Sequence, residues 1–302
     1  MTERIRVGTR RSRLARAQTD MVLAQLRRAA PEWRFDAVPL DTTGDRDRSP
    51  GGSPDFTDLI DQSLLRGDVD LAVHSAKDLP AGLDRRLELA ACPRRADPRD
   101  CLVVATHLRP GRIPRGARIG SSSLRRRAQL LRWRPDLAVV EIRGNVDTRI
   151  GLVRSGALDA AILAVAGVSR LGLATEIGRV LPSSRFLPAP AQGALAVVAR
   201  AGDTWLSSIV RRIDHATTHA CIDAERCFAV ALGSDCNVPL GALATVRGGT
   251  LSLVGEVLSP EGRTRARARC AGPVTAAASI GSRLGKVMLA RGARDLWAPA
   301  HR

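Results

Sequence analysis

Short apolar runs alternate with stretches in which apolar residues recur every three or four positions, a pattern typical of strands joined by helices. In the first part of the chain it predicts, in order, strand 5–8, helix 12–29, strand 35–40, helix 55–65 and strand 69–74. Ser12 is the predicted N-cap of the first helix. The apolar stripe of that helix consists of Leu14, Met21, Val22 and Leu26. The second helix is predicted to begin at Ser53-Pro54-Asp55, where a cap residue precedes a proline.

The same alternation starts again near Cys101. It predicts strand 101–105, strand 117–120, helix 121–133, strand 138–142, a helix from 145, strand 160–165 and a helix that ends at 171. Because strands and helices alternate in both parts, we expect two α/β domains, each with a parallel or mixed sheet covered by helices.

The segment 187–200 is predicted to be a crossover with a long apolar strand that returns to the first domain. The last part predicts a helix over 216–232, three short strands ending near Cys270 and a closing helix over 274–289, which together form a small α+β domain. The predicted domains are residues 1–93 with 194–213, residues 99–188, and residues 216–302.

Composition excludes several classes of protein. No apolar run approaches the length of a membrane span, and the N-terminus has no apolar signal segment, so we expect a cytoplasmic protein with no membrane partner. The six cysteines lack the C-x-x-C spacing of zinc sites and the density of a disulfide scaffold, which predicts free thiols and no metal. No heptad or long exposed apolar stripe favours assembly, so a monomer is expected.

The net charge of +17 indicates that anionic partners are tolerated or bound. Nucleic acid is one possible partner, because arginine neutralises phosphate. Against it, tyrosine is absent and Phe and Trp together number eight, so aromatic platforms for stacking bases are scarce. The excess of arginine over lysine is also what a GC-rich coding sequence would produce. We expect no nucleic-acid partner.

The segment DLAVHSAKDLP, residues 70–80, is the most informative part of the chain. An apolar strand ends there in a polar loop that carries Lys77 and Asp78 side by side. Lys77 is one of only two lysines, and α/β proteins place their chemistry where such strands end. A surface ion pair is the alternative interpretation of this pair.

Arginines recur at glycine- or serine-flanked turns. The turns are GSSSLRRR at 120–127, IRGNVDTRI at 142–150, VGTRRS at 7–12, and VSRLG, which contains Arg170. Free backbone N–H groups at a helix N-terminus together with guanidinium groups form an anion site. Taken alone, any one of these arginines is interpreted as a solvated charge on a helix surface. At matching topological positions, however, they are expected to converge on one crevice and to bind a ligand with several carboxylates or phosphates.

Six segments in this order resemble the porphobilinogen deaminase (hydroxymethylbilane synthase) family. They are DLAVHSAKDLP, GSSSLRRRAQL, IRGNVDTRI, LAVAGVSRLGL, LPAPAQGAL and GSDCNVPLGALA, and the resemblance extends from Ile5 to about Ala244. It implies two domains with the type-2 periplasmic-binding fold and mixed sheets, followed by a small α+β domain. It also implies a transferase of porphyrin, tetrapyrrole and haem biosynthesis that joins four porphobilinogen molecules, with loss of ammonia, on a dipyrromethane cofactor. Water then releases the linear tetrapyrrole.

The resemblance assigns a role to each motif residue. Asp78, assisted by Lys77, becomes the catalytic carboxylate, which stabilises the cation left on the pyrrole methylene when ammonia leaves. Cys236 becomes the thioether anchor of the dipyrromethane. The other implied cofactor-binding residues are Ser75, Ser122, Ser123, Arg125, Arg126, Arg143 and Gln192. The implied substrate-binding residues are Arg10, Ser12, Arg149 and Arg170. His74 is interpreted as a packing or hydrogen-bonding residue, and Cys221, Cys227 and Cys270 as buried hydrophobes.

The chain departs from the family pattern at three places. GGSPDF, at 51–56, stands where members usually read G-G-K-G-L-F, so Ser53 replaces a basic residue of a mobile lid. Arg13 replaces a common proline, and Asp235 a glycine before the cofactor cysteine. The alternatives to an active deaminase are therefore a non-catalytic descendant that binds small anions and a nucleic-acid-binding protein.

Overall fold

A computed structural model describes residues 4–41, 57–80, 82–106, 108, 113–233 and 238–297 of the chain. Its strands are β1 Arg4–Arg10, β2 Arg34–Leu40, β3 Leu71–Ser75, β4 Leu87–Ala91, β5 Asp100–Val104, β6 Arg118–Gly120, β7 Ala138–Val140, β8 Ala160–Ala164, β9 Arg179–Val180, β10 Leu195–Arg200, β11 Leu240–Arg247, β12 Thr250–Leu258 and β13 Arg265–Pro273. Its α-helices are α1 Arg13–Ala29, α2 Asp58–Arg66, α3 Leu124–Trp133, α4 Val146–Arg154, α5 Val165–Arg170, α6 Thr204–Val210, α7 Ala216–Ala231 and α8 Ala277–Ala290.

The first sheet has the strand order β2-β1-β3-β10-β4. Strands β2, β1 and β3 are parallel, whereas β10 runs antiparallel to both β3 and β4. The predicted crossover is confirmed, because β10 lies beside β3 with Leu195 opposite Ser75. A parallel β1–β3 pair needs a connection across one face, and α1 and α2 supply helices in the connections that follow β1 and β2.

The second sheet repeats this arrangement in the order β7-β6-β8-β5-β9. Strands β7, β6 and β8 are parallel, and β5 runs antiparallel to β8 and β9. Each five-stranded sheet therefore has four strands that run in one direction and one antiparallel strand, which is the fourth in the order. This shared order confirms the predicted α/β class with two mixed sheets.

Local chemistry explains where the first helix lies. The Ser12 hydroxyl accepts a hydrogen bond from Ala15 N, 3.2 Å away, which caps α1 as predicted. Val22, Leu23 and Leu26 are buried against the first sheet. Met21 was expected in this stripe but is 45% exposed, because it lies one position around the helix from the buried face.

The third sheet is antiparallel, in the order β11-β12-β13, and α8 packs against its inner face. Helices α7 and α8 meet closely at glycines. A Cβ at Gly281 would lie 2.2 Å from the carbonyl oxygen of Ala224, and one at Gly285 would lie 2.5 Å from Cβ of Ala231. Only glycine permits this helix approach. The predicted helix, three strands and closing helix are all confirmed.

The chain forms two compact units. One comprises Met1–Ala96 with Ala194–His219, and the other Asp97–Gly193 with Ala220–Arg302. The second and third sheets both fall in the second unit, so the predicted division into three domains stays a prediction. No helix in the described part of the chain is long and apolar enough to cross a membrane.

Three elements of the structure are not predicted by the pattern, and the predicted start of one helix is not described. Helix α2 is described from Asp58, after Thr57, and the predicted start at Ser53-Pro54-Asp55 lies outside the described residues. Strands β4 and β9 and helix α6 were not predicted. Strand β9 has only two residues, and β4 is an edge strand that pairs with β10, which is more than a hundred residues away in sequence. Neither strand has a local apolar pattern long enough to identify it.

Candidate functional site

Strand β3 of the first sheet is followed by an exposed carboxylate and an exposed amine. Strand β3 is buried up to His74, and the chain then makes a 3-10 turn over Ala76–Asp78 that exposes Lys77 and Asp78. The backbone N–H of Ala76 donates to the carbonyl of Ala194, 3.1 Å away, and Ala76 itself is buried. The turn is therefore fixed to the sheet while its two charged side chains face outward.

Other predicted residues of this edge lie at the end of β1. Arg10 is the last residue of the strand and is half-buried, and Ser12 is half-buried and caps α1. His74 is 4% exposed, and its Nε2 lies 3.1 Å from an Asp61 carboxylate oxygen, as expected of a hydrogen-bonding residue. Parallel strands β1 and β3 bring their carboxyl ends to one edge of this sheet.

The second sheet carries a serine-rich helix N-terminus at the equivalent edge. Strand β6 ends at Gly120, where a Cβ would lie 2.7 Å from side-chain atoms of both Ile142 and Leu158. The tight turn leads to Ser123, whose hydroxyl accepts from Arg126 N at 3.5 Å and caps α3. Ser122 is exposed at this turn. Exposed serine and a positive helix end form a site suited to an anion.

Three guanidinium groups crowd this edge. Arg149 donates from Nε to Gly144 O at 2.9 Å and from Nη2 to the Ser122 hydroxyl at 3.2 Å, so the turns after β6 and β7 meet. Burial, together with the nearby charges of Arg126 and Arg143, lowers the pKa of Arg149 to about 10. Arg143 is exposed and pairs with Glu141 at 3.1 Å. Positive charge has accumulated here at an energetic cost.

Arg125 and Arg126 were predicted to contact the cofactor, and the structure gives both an internal partner as well. Asp100, which is fully buried at the start of β5, accepts from Arg125 at 2.7 Å and from Arg126 at 2.8 Å. Burial alone would raise the pKa of Asp100, but the two adjacent positive charges hold it well below the ordinary range. One carboxylate therefore faces two guanidiniums, and the cluster keeps a net positive charge.

Gln192 and Arg170 complete the predicted set in this unit. Gln192 donates from Nε2 to Pro98 O at 2.7 Å and to Asp100 at 2.9 Å, so it joins the buried cluster. Arg170 ends α5 and donates from Nη2 to Gly193 O at 2.7 Å. Its Nε atom is buried and has no acceptor among the described residues. Burial lowers the pKa of Arg170 to about 10.

Two parts of the predicted site lie outside the described residues: Cys236 with the neighbouring Asp235, and the GGSPDF segment at 51–56. The described cysteines are free thiols. Cys92, Cys101 and Cys221 are buried, and burial raises the pKa of Cys101 to about 12, so that thiol is inert. Cys227 and Cys270 are half-buried instead of fully buried as expected.

Asp100 is the main residue of this region that sequence reasoning missed. An acidic residue at the start of the buried strand CLVV is an available signal, because a charge at a buried position needs a partner. Glu256 is another: it is 1% exposed on β12 and accepts from Gln129 Nε2 at 3.1 Å. Gln129 lies on α3 and also accepts from Arg125 of that helix at 3.0 Å. The bond between Gln129 and Glu256 therefore joins the third sheet to α3.

The arrangement can bind carboxylates and stabilise a cation. In the second unit, guanidiniums with lowered pKa values, an exposed serine and a helix N-terminus favour a ligand with several negative groups. In the first unit, the exposed Asp78 at the end of β3 can accept hydrogen bonds and offset positive charge that develops in a reaction.

Comparisons with known proteins agree with this chemistry. A family model described as porphobilinogen deaminase, dipyromethane cofactor binding domain, matches residues 5–208, and the C-terminal domain model of the same family matches residues 219–290. The porphobilinogen deaminase of Thermus thermophilus is 42% identical over 97% of each chain. That of Roseiflexus castenholzii is 42% identical over 99% of this chain and all of its own.

Solved structures of lower similarity were also found. The periplasmic VFT2 domain of Bordetella pertussis BvgS covers 70% of this chain and 86% of its own, with a TM-score of 0.44 and 16% identity. The aliphatic sulphonate binding protein SsuA of Escherichia coli covers 76% of this chain and 71% of its own, with a TM-score of 0.40 and 15% identity.

Proposed function

Because this chain belongs to the porphobilinogen deaminase family, we propose that it catalyses the family reaction with the residues that the motifs identify. The reaction is a transferase reaction of tetrapyrrole biosynthesis. Four porphobilinogen molecules are joined head to tail with release of ammonia, and the linear tetrapyrrole is then released by water. Porphobilinogen is the small-molecule substrate.

One observation carries the assignment of residues: the guanidinium groups that crowd the carboxyl edge of the second sheet. Arg149 is held in a half-buried position beside Arg126 and Arg143, although burial and these two charges lower its pKa to about 10. Perturbed pKa values of this kind cluster at functional sites, and the negative charge of a ligand would relieve the repulsion. Each pyrrole ring carries an acetate and a propionate, so a chain of rings supplies many carboxylates, and bidentate guanidinium contacts suit them.

Asp78 is the catalytic carboxylate in this proposal. Loss of ammonia leaves a resonance-stabilised cation on the methylene carbon of porphobilinogen, and a fixed carboxylate lowers the barrier to forming it. The buried Ala76 anchors the turn, so Asp78 is already positioned before substrate binds. Asp78 also accepts hydrogen bonds from pyrrole N–H groups, and Lys77 beside it binds a substrate carboxylate. Arg10 and Ser12 assist at the same edge.

The cofactor is dipyrromethane, and the described residues fit its chemistry. The Nε atoms of Arg125 and Arg170 are buried without an acceptor among the described residues, and Ser122 is exposed beside Arg149. In this proposal Cys236 anchors the cofactor. The residues that hold it are Ser75, Ser122, Ser123, Arg125, Arg126, Arg143 and Gln192. When bound, it supplies the pyrrole carbon nucleophile that begins chain growth. Arg149 and Arg170 bind the carboxylates of incoming substrate.

Intact-protein mass spectrometry after incubation with porphobilinogen tests the anchor. We expect the added mass of dipyrromethane, located by peptide mapping to Cys236, together with consumption of porphobilinogen. Cys236→Ser should lose both the added mass and turnover. Cys227→Ser, which changes a half-buried thiol elsewhere in the same unit, should keep both. An unmodified Cys236 in protein that consumes porphobilinogen would overturn the assignment.

A monomeric state, a cytoplasmic location and the absence of a nucleic-acid partner stay predictions. Steeply salt-dependent binding of DNA that is unchanged in Arg143→Ala and Arg149→Ala variants would contradict the last of them.

A further inference from the structure

Glu225 is a buried carboxylate whose two oxygens bond backbone groups from distant parts of the chain. It lies on α7 and has no solvent exposure. One carboxylate oxygen accepts from Ala191 N at 2.6 Å, and the other accepts from Ala244 N at 2.7 Å. Burying a carboxylate is costly unless its oxygens are hydrogen-bonded. The two backbone donors therefore specify a carboxylate at this position.

The first partner belongs to a strained turn. Ala191 has φ of +61°, and among the described residues it is the only residue other than glycine with positive φ. A side chain in this region of the backbone map raises the energy by about 1–2 kcal/mol per residue. Ala191 is also buried, so packing and the bond to Glu225 must hold it there.

The strained turn positions Gln192, the next residue. Gln192 donates to Pro98 O and to Asp100, and its side-chain oxygen lies 3.5 Å from Arg125 and 3.4 Å from Arg126. A change of backbone at Ala191 would rotate Gln192 and remove its bond to Asp100. The turn and the arginine cluster are thus joined through side chains with specific geometry.

The second partner belongs to a different element. Ala244 lies on β11, whereas Glu225 lies on α7, and the segment that connects these two elements in the sequence contains Cys236. The Glu225 side chain therefore joins α7, which precedes this segment, to β11, which follows it. It also joins both elements to the turn that carries Gln192. All of the bonded residues lie within the second compact unit.

We propose that Glu225 is a positioning residue for cofactor attachment, which rests on the proposed role of Cys236. It fixes the elements on either side of the thiol relative to the Gln192 and arginine cluster that would hold the cofactor carboxylates. Attachment joins two porphobilinogen molecules to the thiol. One C–S and one C–C bond form, two C–N bonds break, and two ammonia molecules leave with the hydrogens displaced from sulfur and from a pyrrole carbon.

The test measures the rate of this attachment in the Glu225→Gln variant and in the parent chain. Both proteins are produced without cofactor and are then given porphobilinogen. In the variant the amide NH₂ faces a backbone N–H donor, so one of the two bonds is replaced by repulsion. Intact mass against time measures attachment, and thermal unfolding measures stability. We expect attachment at least tenfold slower per folded molecule. Met288→Ala, a buried position in the third-sheet core, is the control for lost stability.

A second substitution separates positioning from stability. Ala191→Gly in the Glu225→Gln background lets the turn keep positive φ without strain, so attachment should recover several-fold. If Glu225→Gln yields no folded protein, Glu225→Asp keeps the charge but shortens its reach and should show the same order of effects.

Three outcomes decide between the possibilities. Slow attachment in Glu225→Gln with recovery in the double variant supports the proposal. Attachment at the parent rate, or slowed only as much as in Met288→Ala, overturns it. If the parent chain itself gains no mass at Cys236, the proposed anchor fails, and the role of Glu225 in attachment fails with it.

Discussion

The two five-stranded sheets share one strand order but place different chemistry where equivalent strands end. Strand β3 is the third parallel strand of the first sheet, and it leads into the exposed pair Lys77 and Asp78. Strand β8 holds the same place in the second sheet and leads into α5, which ends with Arg170. The same scaffold thus supports a carboxylate suited to a developing cation in one unit and guanidiniums suited to carboxylates in the other.

A second contrast lies within the arginines of the second sheet. Arg126 donates to Asp100 and to Ile162 O, both buried, whereas Arg149 donates to the exposed serine of a turn and to Gly144 O. Arg126 is neutralised in part by a buried carboxylate, and the pKa of Arg149 is lowered by burial and by its neighbours' charge. The two arginines therefore differ in what the fold gives them: Arg126 has a buried carboxylate partner besides its proposed role toward the cofactor, whereas Arg149 donates only to neutral groups in the contacts given above.

The largest expected effect comes from removing the acid of the first sheet. Asp78→Asn should lower kcat by about 10²- to 10⁴-fold, because a fixed negative charge no longer opposes the developing cation. Since Asp78 is exposed, the melting temperature should not change. Steady-state consumption of porphobilinogen gives kcat and KM. We expect KM to stay within about threefold, as arginines supply most of the binding.

Asp68→Asn is the matched control for that substitution, because Asp68 is an exposed acid of the same unit and pairs only with its neighbour Arg66 among the contacts seen here. It should leave both constants unchanged. A kcat for Asp78→Asn within tenfold of the parent would show that the carboxylate at the end of β3 is not where the chemistry occurs.

The contrast between Arg126 and Arg149 predicts stability changes of opposite sign. Arg126→Met leaves the buried Asp100 with one guanidinium partner and should cost about 3–5 kcal/mol of unfolding free energy. Arg149→Met should raise it by about 1 kcal/mol, because a charge that burial and like charges disfavour is gone. The destabilisation by the Arg149 charge is fully present below pH 10 and is relieved as pH rises from there toward the ordinary pKa of arginine.

Denaturant unfolding at pH 7 measures both variants, and porphobilinogen titration measures the cost to function. Arg149→Met should raise KM by about tenfold or more despite its greater stability. Equal losses of stability in the two variants would mean that Arg149 stabilises the fold as much as Arg126 does and is not held in place at a cost in stability.

How far the sequence predicts this molecule depends on whether a feature is local. Caps, apolar strands and glycine turns are local, so the elements of both sheets other than the edge strands β4 and β9 follow from the pattern, as does the charged loop at Lys77 and Asp78. The pairing of Asp100 with two arginines and the bonds of Glu225 depend on residues far apart in the chain. No periodicity encodes these contacts, so the sequence pattern alone does not distinguish the arginines of the second sheet from one another.

The smallest effect compares the serine caps at the two equivalent edges. Ser12 accepts from Ala15 N at 3.2 Å in the first unit, and Ser123 accepts from Arg126 N at 3.5 Å in the second. Ser12→Ala should cost about 1 kcal/mol, and Ser123→Ala about half of that because its bond is longer and weaker. Hydrogen exchange of the Ala15 and Arg126 amides reads each cap separately, since each loses its acceptor. Ser12→Asn and Ser123→Asn keep a capping oxygen and should restore protection. If Ser12→Ala and Ser123→Ala reduce the protection of the Ala15 and Arg126 amides equally, the longer hydrogen bond is as strong as the shorter one. The serine caps at the two edges are then equally strong.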